Sequence, residues 1–537
     1  MATISTSALY LNYIMENDTW EEDKRLPTGI IPTSYRVALK PDLDLGKFTG
    51  SVEINIKCKE NTNIIVLQAH NTLHIDTNLI ILTPTWSNLS SMTDTMGQMM
   101  FSNSSHPNIA SIKRNPTTDE LIITTVEQMH IGDSYKLYIQ FSGKIQFFNL
   151  KENYNNDYFC GMINLQLFMK IIHLFYSPFI MTSMLINCTR RVFPCFDEPS
   201  FKSRFQISVA RPRNMTTVSV MPVDYSEEIQ GDWMWDHFKI SPPISTFSIS
   251  IFTSELEKGK TIYIKTNRGK YTVQYFYNKY ADKKIRNDTR FPFSKTIQFL
   301  EGYLGITFPV PKLDIVIIPS FIYNEMNTLG TILQNEYMSL IPSLIDQWVL
   351  HTITPKWWNN LNITNILGLY LTKITTINVT AKSSWYEMEN DQTYSILSEP
   401  DQSTYMYKYF NVFKGEWFLQ MLRESISEHT LKKGLFNLLI KNKYNTFDEA
   451  MLWDSLTEQA WKDRTLPADI SVQTLANSWL HKPVFPIVTV KRNYGENSAV
   501  IHQHVFMRNY NSIARQYYEP KEHEWTEEEK ANEMVDS

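Results

Sequence analysis

The sequence predicts a multidomain α+β protein, and three observations carry that expectation. At 537 residues the chain is far too long for one hydrophobic core, and about three domains is the natural prior. Residues 25 to about 253 carry short β-branched and aromatic runs that alternate apolar and polar with period two. From about 254 onward the apolar residues turn to helical spacing.

Within the first part, Gly50–Lys57 (Gly-Ser-Val-Glu-Ile-Asn-Ile-Lys) alternates cleanly and predicts a strand buried on one face. Ser87–Ser105 is rich in Ser, Asn and Thr and predicts a loop. Ile163–Ile186 is the longest apolar stretch, but Gln166, Lys170, His173 and Pro178 interrupt it. It reads as a pair of buried strands or a rearranged insertion, not as a membrane span. Gln206–Ala210 and Phe247–Phe252 are further short strands. Beyond them, Phe291–Tyr303 predicts a helix and Leu313–Ile318 a strand. Thr430–Lys441 places Leu431, Leu435, Leu438 and Leu439 on one helix face. Thr446-x-x-Glu449 reads as a capping box ahead of Met451, Leu452, Leu456 and Trp461. Ser471–Leu480 closes the helical region, and the acidic, aperiodic Glu519–Ser537 predicts a disordered tail.

Composition narrows the function classes. A formal net charge of −5, with no basic stripe interleaved with aromatics, gives no electrostatic reason to expect nucleic acid. No Gly-rich phosphate loop and no G-x-S-x-G elbow occur. Cys58, Cys160, Cys188 and Cys195 allow at most two bridges and leave the redox compartment open. The apolar patch Ala8–Met15 is too short and too polar for a membrane span or a signal h-region. Sequons begin at Asn17, Asn88, Asn103, Asn187, Asn214, Asn287, Asn362 and Asn378, with Asn88, Asn103, Asn214 and Asn287 the candidate glycosylation sites. His70 and His74 have helical ligand spacing in a β-like segment, where they would stand roughly 13 Å apart. His502 and His504 share one face of an expected strand without a Cys or carboxylate partner, and His351 is an isolated imidazole.

The most specific segment is Thr354-Pro355-Lys356-Trp357-Trp358-Asn359-Asn360-Leu361. It resembles the T-x-K-W-W-N-D-L run of the zinc aminopeptidases of the aminopeptidase N family. Other runs match that family in order. Arg25-Leu26-Pro27 and Pro32–Pro41 resemble its opening strand, and Thr189–Pro199 (Thr-Arg-Arg-Val-Phe-Pro-Cys-Phe-Asp-Glu-Pro) resembles the most distinctive run of its first domain. Trp479 with Phe485–Val490 is similar to the entry into its third domain. The anchors cover roughly residues 25–507, and the chain is identified as a member of the family, nearest in motif to the aminopeptidase N and laeverin branches.

The resemblance implies a fold. It divides the chain into a segment without a convincing anchor (1–24), an N-terminal β-sandwich or saddle domain (25–253), a thermolysin-like α/β domain (254–482), the remnant of a small β-sandwich (483–510) and an acidic tail (511–537). The family's large C-terminal helical domain is expected to be missing.

It also implies a chemistry, removal of N-terminal residues from peptides by a zinc-activated water, which this sequence departs from. In H-E-x-x-H the two His share one zinc from one helix face, and the Glu is the general base. Counting from the retained Gln347-Trp348, those positions fall on Pro342, Ser343 and Asp346. The third ligand, the Glu of N-E-G, falls on Asn365. The family's G-A-M-E-N-W-G loop resembles Asn324–Gly330, with Asn327 at the amine-binding Glu, and Glu325 sits two places early. A second amine-binding position, a Gln in the family, is Leu185. The Y-x-K-G turn that supplies an oxyanion-stabilising Tyr resembles Val412-Phe413-Lys414-Gly415. Met15-Glu16-Asn17 and Met388-Glu389-Asn390 spell the loop's core at the wrong places. The segment between Gln334 and Asp346 is also shorter than the family's, which predicts a shortened ligand helix.

Two readings follow. One is a catalytically inactive homologue, a pseudoenzyme or a decayed product, with no cofactor of its own and with peptides or an active family aminopeptidase as its partners. The alternative is an active zinc metallo-aminopeptidase acting on peptide N-termini.

Overall fold

The computed structural model describes residues 25–85, 108–147, 160–164, 179–184, 187–229, 231–278, 291–318, 325–335, 339–380, 404–480 and 485–506. Within them the fold is mixed α+β, with strands dominating the first part and helices the second.

The first part is built on an eight-stranded sheet. Its central strands are Ile30–Asp42 and Lys47–Cys58, antiparallel to each other, with Arg204–Pro212 parallel on one side and Ser134–Lys144 antiparallel on the other. Alternation decides which side is core. Val52, Ile54 and Ile56 are buried at every second position, together with Val37, Leu39, Leu137 and Ile139. Tyr35 pairs in register with Phe205, and their rings stack at 4.6 Å. A five-stranded sheet includes Gly161–Asn164 and Phe179–Ser183, paired antiparallel. The ends of the long apolar stretch are thus a pair of strands. The part of it between 165 and 178 lies outside the described residues, as do the Ser87–Ser105 loop and both displaced Met-Glu-Asn triplets.

The Thr189–Pro199 run owes its polar residues to structure. Asp197 is fully buried, where its carboxylate accepts from Arg190 Nε at 3.1 Å and from Thr246 Oγ1 at 2.8 Å. Glu198, equally buried, receives the Leu26 amide and the Arg25 guanidinium. Each buried charge is paired, as burial requires. Cys160 and Cys188 form a disulfide across a sequence separation of 28, and Cys58 and Cys195 are buried free thiols.

The helical spacing expected from about 254 begins later. Leu256–Lys265 and Lys270–Asn278 are strands, and they start a second five-stranded sheet. The alternation that makes them strands is masked in the sequence by exposed edge positions such as Tyr263. Helix α1 (Phe293–Leu304) crosses from Lys270–Asn278 to the parallel strand Lys312–Ile318, the connection parallel pairing demands. Thr331–Asn335 adds a parallel strand, and Glu325–Thr328 lies antiparallel at the edge.

The remaining helices are α2 (Leu340–Val349), α3 (Leu361–Thr380), α4 (Thr404–Ile426), α5 (Glu428–Lys441), α6 (Glu449–Asp463) and α7 (Val472–Leu480). All four leucines expected on the inner face of α5 are buried. The cap lies two residues later than the capping box expected from the sequence. Asp448, not Thr446, caps α6, accepting the Met451 amide at 3.0 Å. Thr446 is held instead in a short parallel pairing with Thr354. Phe485–Asn493 and Ser498–Phe506 form a hairpin whose register places His502 opposite Thr489 and His504 opposite Ile487. His70 lies outside any strand and bonds Thr72 through Nδ1. Among the described residues no helix is long and apolar enough to cross a membrane.

Candidate functional site

The site forms where α2, α3, α4 and the edge strand Glu325–Thr328 converge. Helix α2 is buried along its whole length, and Ser339 caps it by accepting from the Ile341 amide. Pro342 falls in its first turn, where a proline's missing N–H removes no intrahelical bond. Ser343 is fully buried, and Asp346 is 4% exposed.

Gln347 locks the edge hairpin onto this helix. Its Oε1 accepts from the Gly330 amide at 2.7 Å, and its Nε2 donates to the carbonyls of Thr328 at 3.0 Å and Ser343 at 3.3 Å. Gly330 has φ of 69°, and a Cβ there would run into the Val220 carbonyl oxygen. Only glycine fits, which explains why the end of this loop keeps its Gly. The docked hairpin brings Asn327 to α2, where its Nδ2 donates to Asp346 Oδ2 at 3.1 Å.

Helix α3 closes the opposite side. A Cβ built on Gly368 would stand 3.8 Å from Asp346 Oδ1, so the two helices approach closely here. Asn365, three residues earlier and on the same helix face, is 5% exposed, and its Nδ2 has no hydrogen-bond partner among the described residues. The expected Val412–Gly415 turn is corrected: these residues lie inside α4. Gly415 is small because the Ile366 side chain of α3 fills the space its Cβ would take. Val412 is buried in the core, and burial pushes the Lys414 ammonium down to about 8. Burial also raises Glu416, against the opposing pull of Lys373, whose Nζ stands 3.5 Å away.

Beneath the site lies His351, fully buried, with Nδ1 3.0 Å from Ser248 Oγ. Burial, then the nearby Lys202 ammonium, holds this imidazole down at about 3. Lys202 is itself pushed down to about 7 by burial and donates to the carbonyls of Thr352 at 2.9 Å and His351 at 3.4 Å, just past the end of α2. His351 is therefore a neutral strut between α2 and the β-rich part.

The structure thus brings Asn327 from the edge strand and the Asn365 face of α3 up to Pro342, Ser343 and Asp346 of α2. Leu185, Asn88, Asn103 and Asn287 lie outside the described residues. Asn214 is exposed, on the turn after Arg204–Pro212. As a zinc site the cluster does not fit. Zinc takes three or four Cys, His or carboxylate donors in tetrahedral geometry. Here Pro342 has no donor, Asn365 offers only an amide, and one Asp346 oxygen already accepts a hydrogen bond from Asn327.

Two family models match the chain: the Peptidase M1 N-terminal domain over residues 31–248 and the Peptidase family M1 domain over residues 292–479. The chain belongs to peptidase family M1. Its M1 relatives include Aminopeptidase Ey of Gallus gallus, 24% identical over 524 residues that cover 88% of this chain and 50% of the relative. Endoplasmic reticulum aminopeptidase 1 of Homo sapiens is 24% identical over 520 residues, 87% of this chain and 51% of the relative. Aminopeptidase N of Oryctolagus cuniculus is 24% identical over 540 residues, 90% and 51%. The chain spans about half the length of the curated relatives it matches.

Sequence reasoning missed the buried Lys414 and the buried Glu416 that pairs with the half-buried Lys373. The only signal was Lys414 inside the Val412–Gly415 run, and nothing in that run announces burial.

Proposed function

We propose that this M1 chain is a catalytically inactive homologue of the zinc-dependent aminopeptidases, a pseudoenzyme that binds peptides or an active family member. The observation that carries this reading is the Asn327–Asp346 hydrogen bond at 3.1 Å. The residue at the amine-binding position bonds directly to the residue at the second ligand position, across the space a metal and a substrate amine would need. The neighbouring chemistry agrees. Pro342 and Ser343 stand where a ligand and the general base belong, Asn365 where the third ligand belongs, and Val412 has no phenol to stabilise an oxyanion.

Peptide binding has separate support. Glu325–Thr328 ends the five-stranded sheet and pairs on one side only among the described residues. Such an edge accepts an extended chain by strand addition. Gln347 and Gly330 hold that edge rigid, so the loss of chemistry leaves the binding frame standing.

Zinc stoichiometry of the purified, monodisperse chain tests the reading together with turnover of aminoacyl-arylamides. We expect zinc far below one per chain and no chelator-sensitive turnover. Near-stoichiometric zinc with turnover abolished by a chelator establishes an active metallo-aminopeptidase instead.

A further inference from the structure

We propose that Asn214 is an acceptor of N-linked oligosaccharide, modified in the oxidising lumen where the Cys160–Cys188 bridge forms. Two independent observations meet here. Cys160 and Cys188 are bonded, with Cα atoms 5.0 Å apart, and bridges of this structural kind form and persist in oxidising compartments. The same compartment carries out N-glycosylation, and the fold presents one described sequon differently from the others.

Asn214-Met215-Thr216 occupies the tight turn that leaves Arg204–Pro212, closed by the Met215 amide donating to the Pro212 carbonyl at 3.1 Å. Asn214 is exposed, Met215 tucks inward at 6% exposure, and Thr216 opens the next strand. The Asn214 Nδ2 donates to Glu255 Oε1 at 2.8 Å across the surface. A glycosylated carboxamide keeps one N–H as a donor. The flanking Arg213 and Asp232 side chains are solvated, and a glycan at this turn displaces no packed group.

The other described sequons are built into structure. Asn187 is half-buried at φ of 59°, its Oδ1 accepts from Arg190 Nη2 at 3.0 Å, and its sequon hydroxyl on Thr189 is fully buried. Asn362 is half-buried in the first turn of α3, followed by the buried Ile363 and Thr364. Asn378 is exposed, but its Nδ2 donates back to the Ile374 carbonyl within α3 at 2.8 Å.

In the modification, Asn214 Nδ2 forms a bond to the anomeric carbon of a polyisoprenyl-diphosphate-linked oligosaccharide. The carbon–oxygen bond to the diphosphate breaks, the diphosphate leaves with the electron pair, and one Nδ2 proton is lost to the transferase base.

The test expresses the full chain behind a secretory leader in cultured mammalian cells and recovers it from lumen or medium. Glycosidase-dependent conversion of Asn214 to Asp is then read by peptide mass spectrometry, beside the linkage of Cys160 to Cys188 without reductant. We expect conversion at Asn214 in most molecules, a linked Cys160–Cys188 peptide, and loss of the conversion in Thr216→Ala, which leaves Asn214 itself in place. An unmodified Asn214, conversion that persists in Thr216→Ala, or two free thiols in lumenal protein would each overturn the proposal.

Discussion

Asn327 Nδ2 donates to Asp346 Oδ2 at 3.1 Å, joining an edge strand to a buried helix across 19 residues of sequence. A buried carboxylate left without one of its partners is costly, about 1–3 kcal/mol for a lost hydrogen bond of this kind. Asn327→Ala should lower stability by that amount, read as a shift in the urea midpoint. An unchanged midpoint would mean the bond does not hold the strand in place.

Restoring one imidazole should not restore a metal site. Asp346→His returns a donor to α2 but leaves Pro342 and Asn365 as they are, and a single His does not hold zinc tightly. Elemental analysis of the variant should match the parent chain. Uptake of about one zinc per chain by this variant alone would show that ligands stand nearby in the fold.

The buried imidazole of His351 makes stability depend on pH. Its value in the folded chain is about 3, against an ordinary 6.5. The unfolded chain takes up a proton that the folded chain refuses, so the contribution is complete above about pH 6.5 and is lost as pH falls toward 3. Lys202, held at about 7, acts in a higher window, between its ordinary 10.5 and 7. Between about pH 6.5 and 4 the parent chain should therefore lose a few kcal/mol more than His351→Asn does. Parallel unfolding free energies for the two across that range would rule out a buried neutral His351.

Gly330→Ala should destabilise by roughly 2 kcal/mol or more. The left-handed backbone alone costs an alanine about 1–2 kcal/mol, and the Val220 carbonyl oxygen lies where its Cβ must go. The chemical denaturation midpoint measures this. A neutral result would mean the Leu329-Gly330 turn relaxes freely and does not clamp the hairpin.

Removing the Cys160–Cys188 bridge lengthens the freely moving unfolded chain. A closed segment of separation 28 predicts a loss of about 3–4 kcal/mol on chain entropy. Cys160→Ser with Cys188→Ser should show it as a lower melting temperature that no longer responds to reductant.

Much of the fold was legible because burial repeats with the period of the backbone. Val52, Ile54 and Ile56 announce a half-buried strand, and Leu431, Leu435, Leu438 and Leu439 announce the inner face of α5. The β-rich and mixed portions of the M1 fold follow from such patterns and from the Thr189–Pro199 and Thr354–Leu361 runs. Local chemistry was less legible. Thr446 and Asp448 are both good caps, and the short pairing of Thr446 with Thr354 decides between them. Val412–Gly415 resembles a turn, yet α4 runs through it, with Gly415 set against the Ile366 side chain.

By itself the sequence determined which donors exist: no His at Pro342 or Asp346, no Glu at Asn365 or Asn327, no Tyr at Val412. Covalent chemistry is a property of residue identity, and no fold can supply an imidazole the chain lacks. Only the tertiary structure decided what the remaining groups do. It paired Asn327 with Asp346 and Cys160 with Cys188, buried Lys414, set Lys202 against the Thr352 carbonyl, and left Asn214 on an exposed turn. Those outcomes depend on distance and on exclusion of water between residues far apart in the chain, and neither is written in the order of the residues.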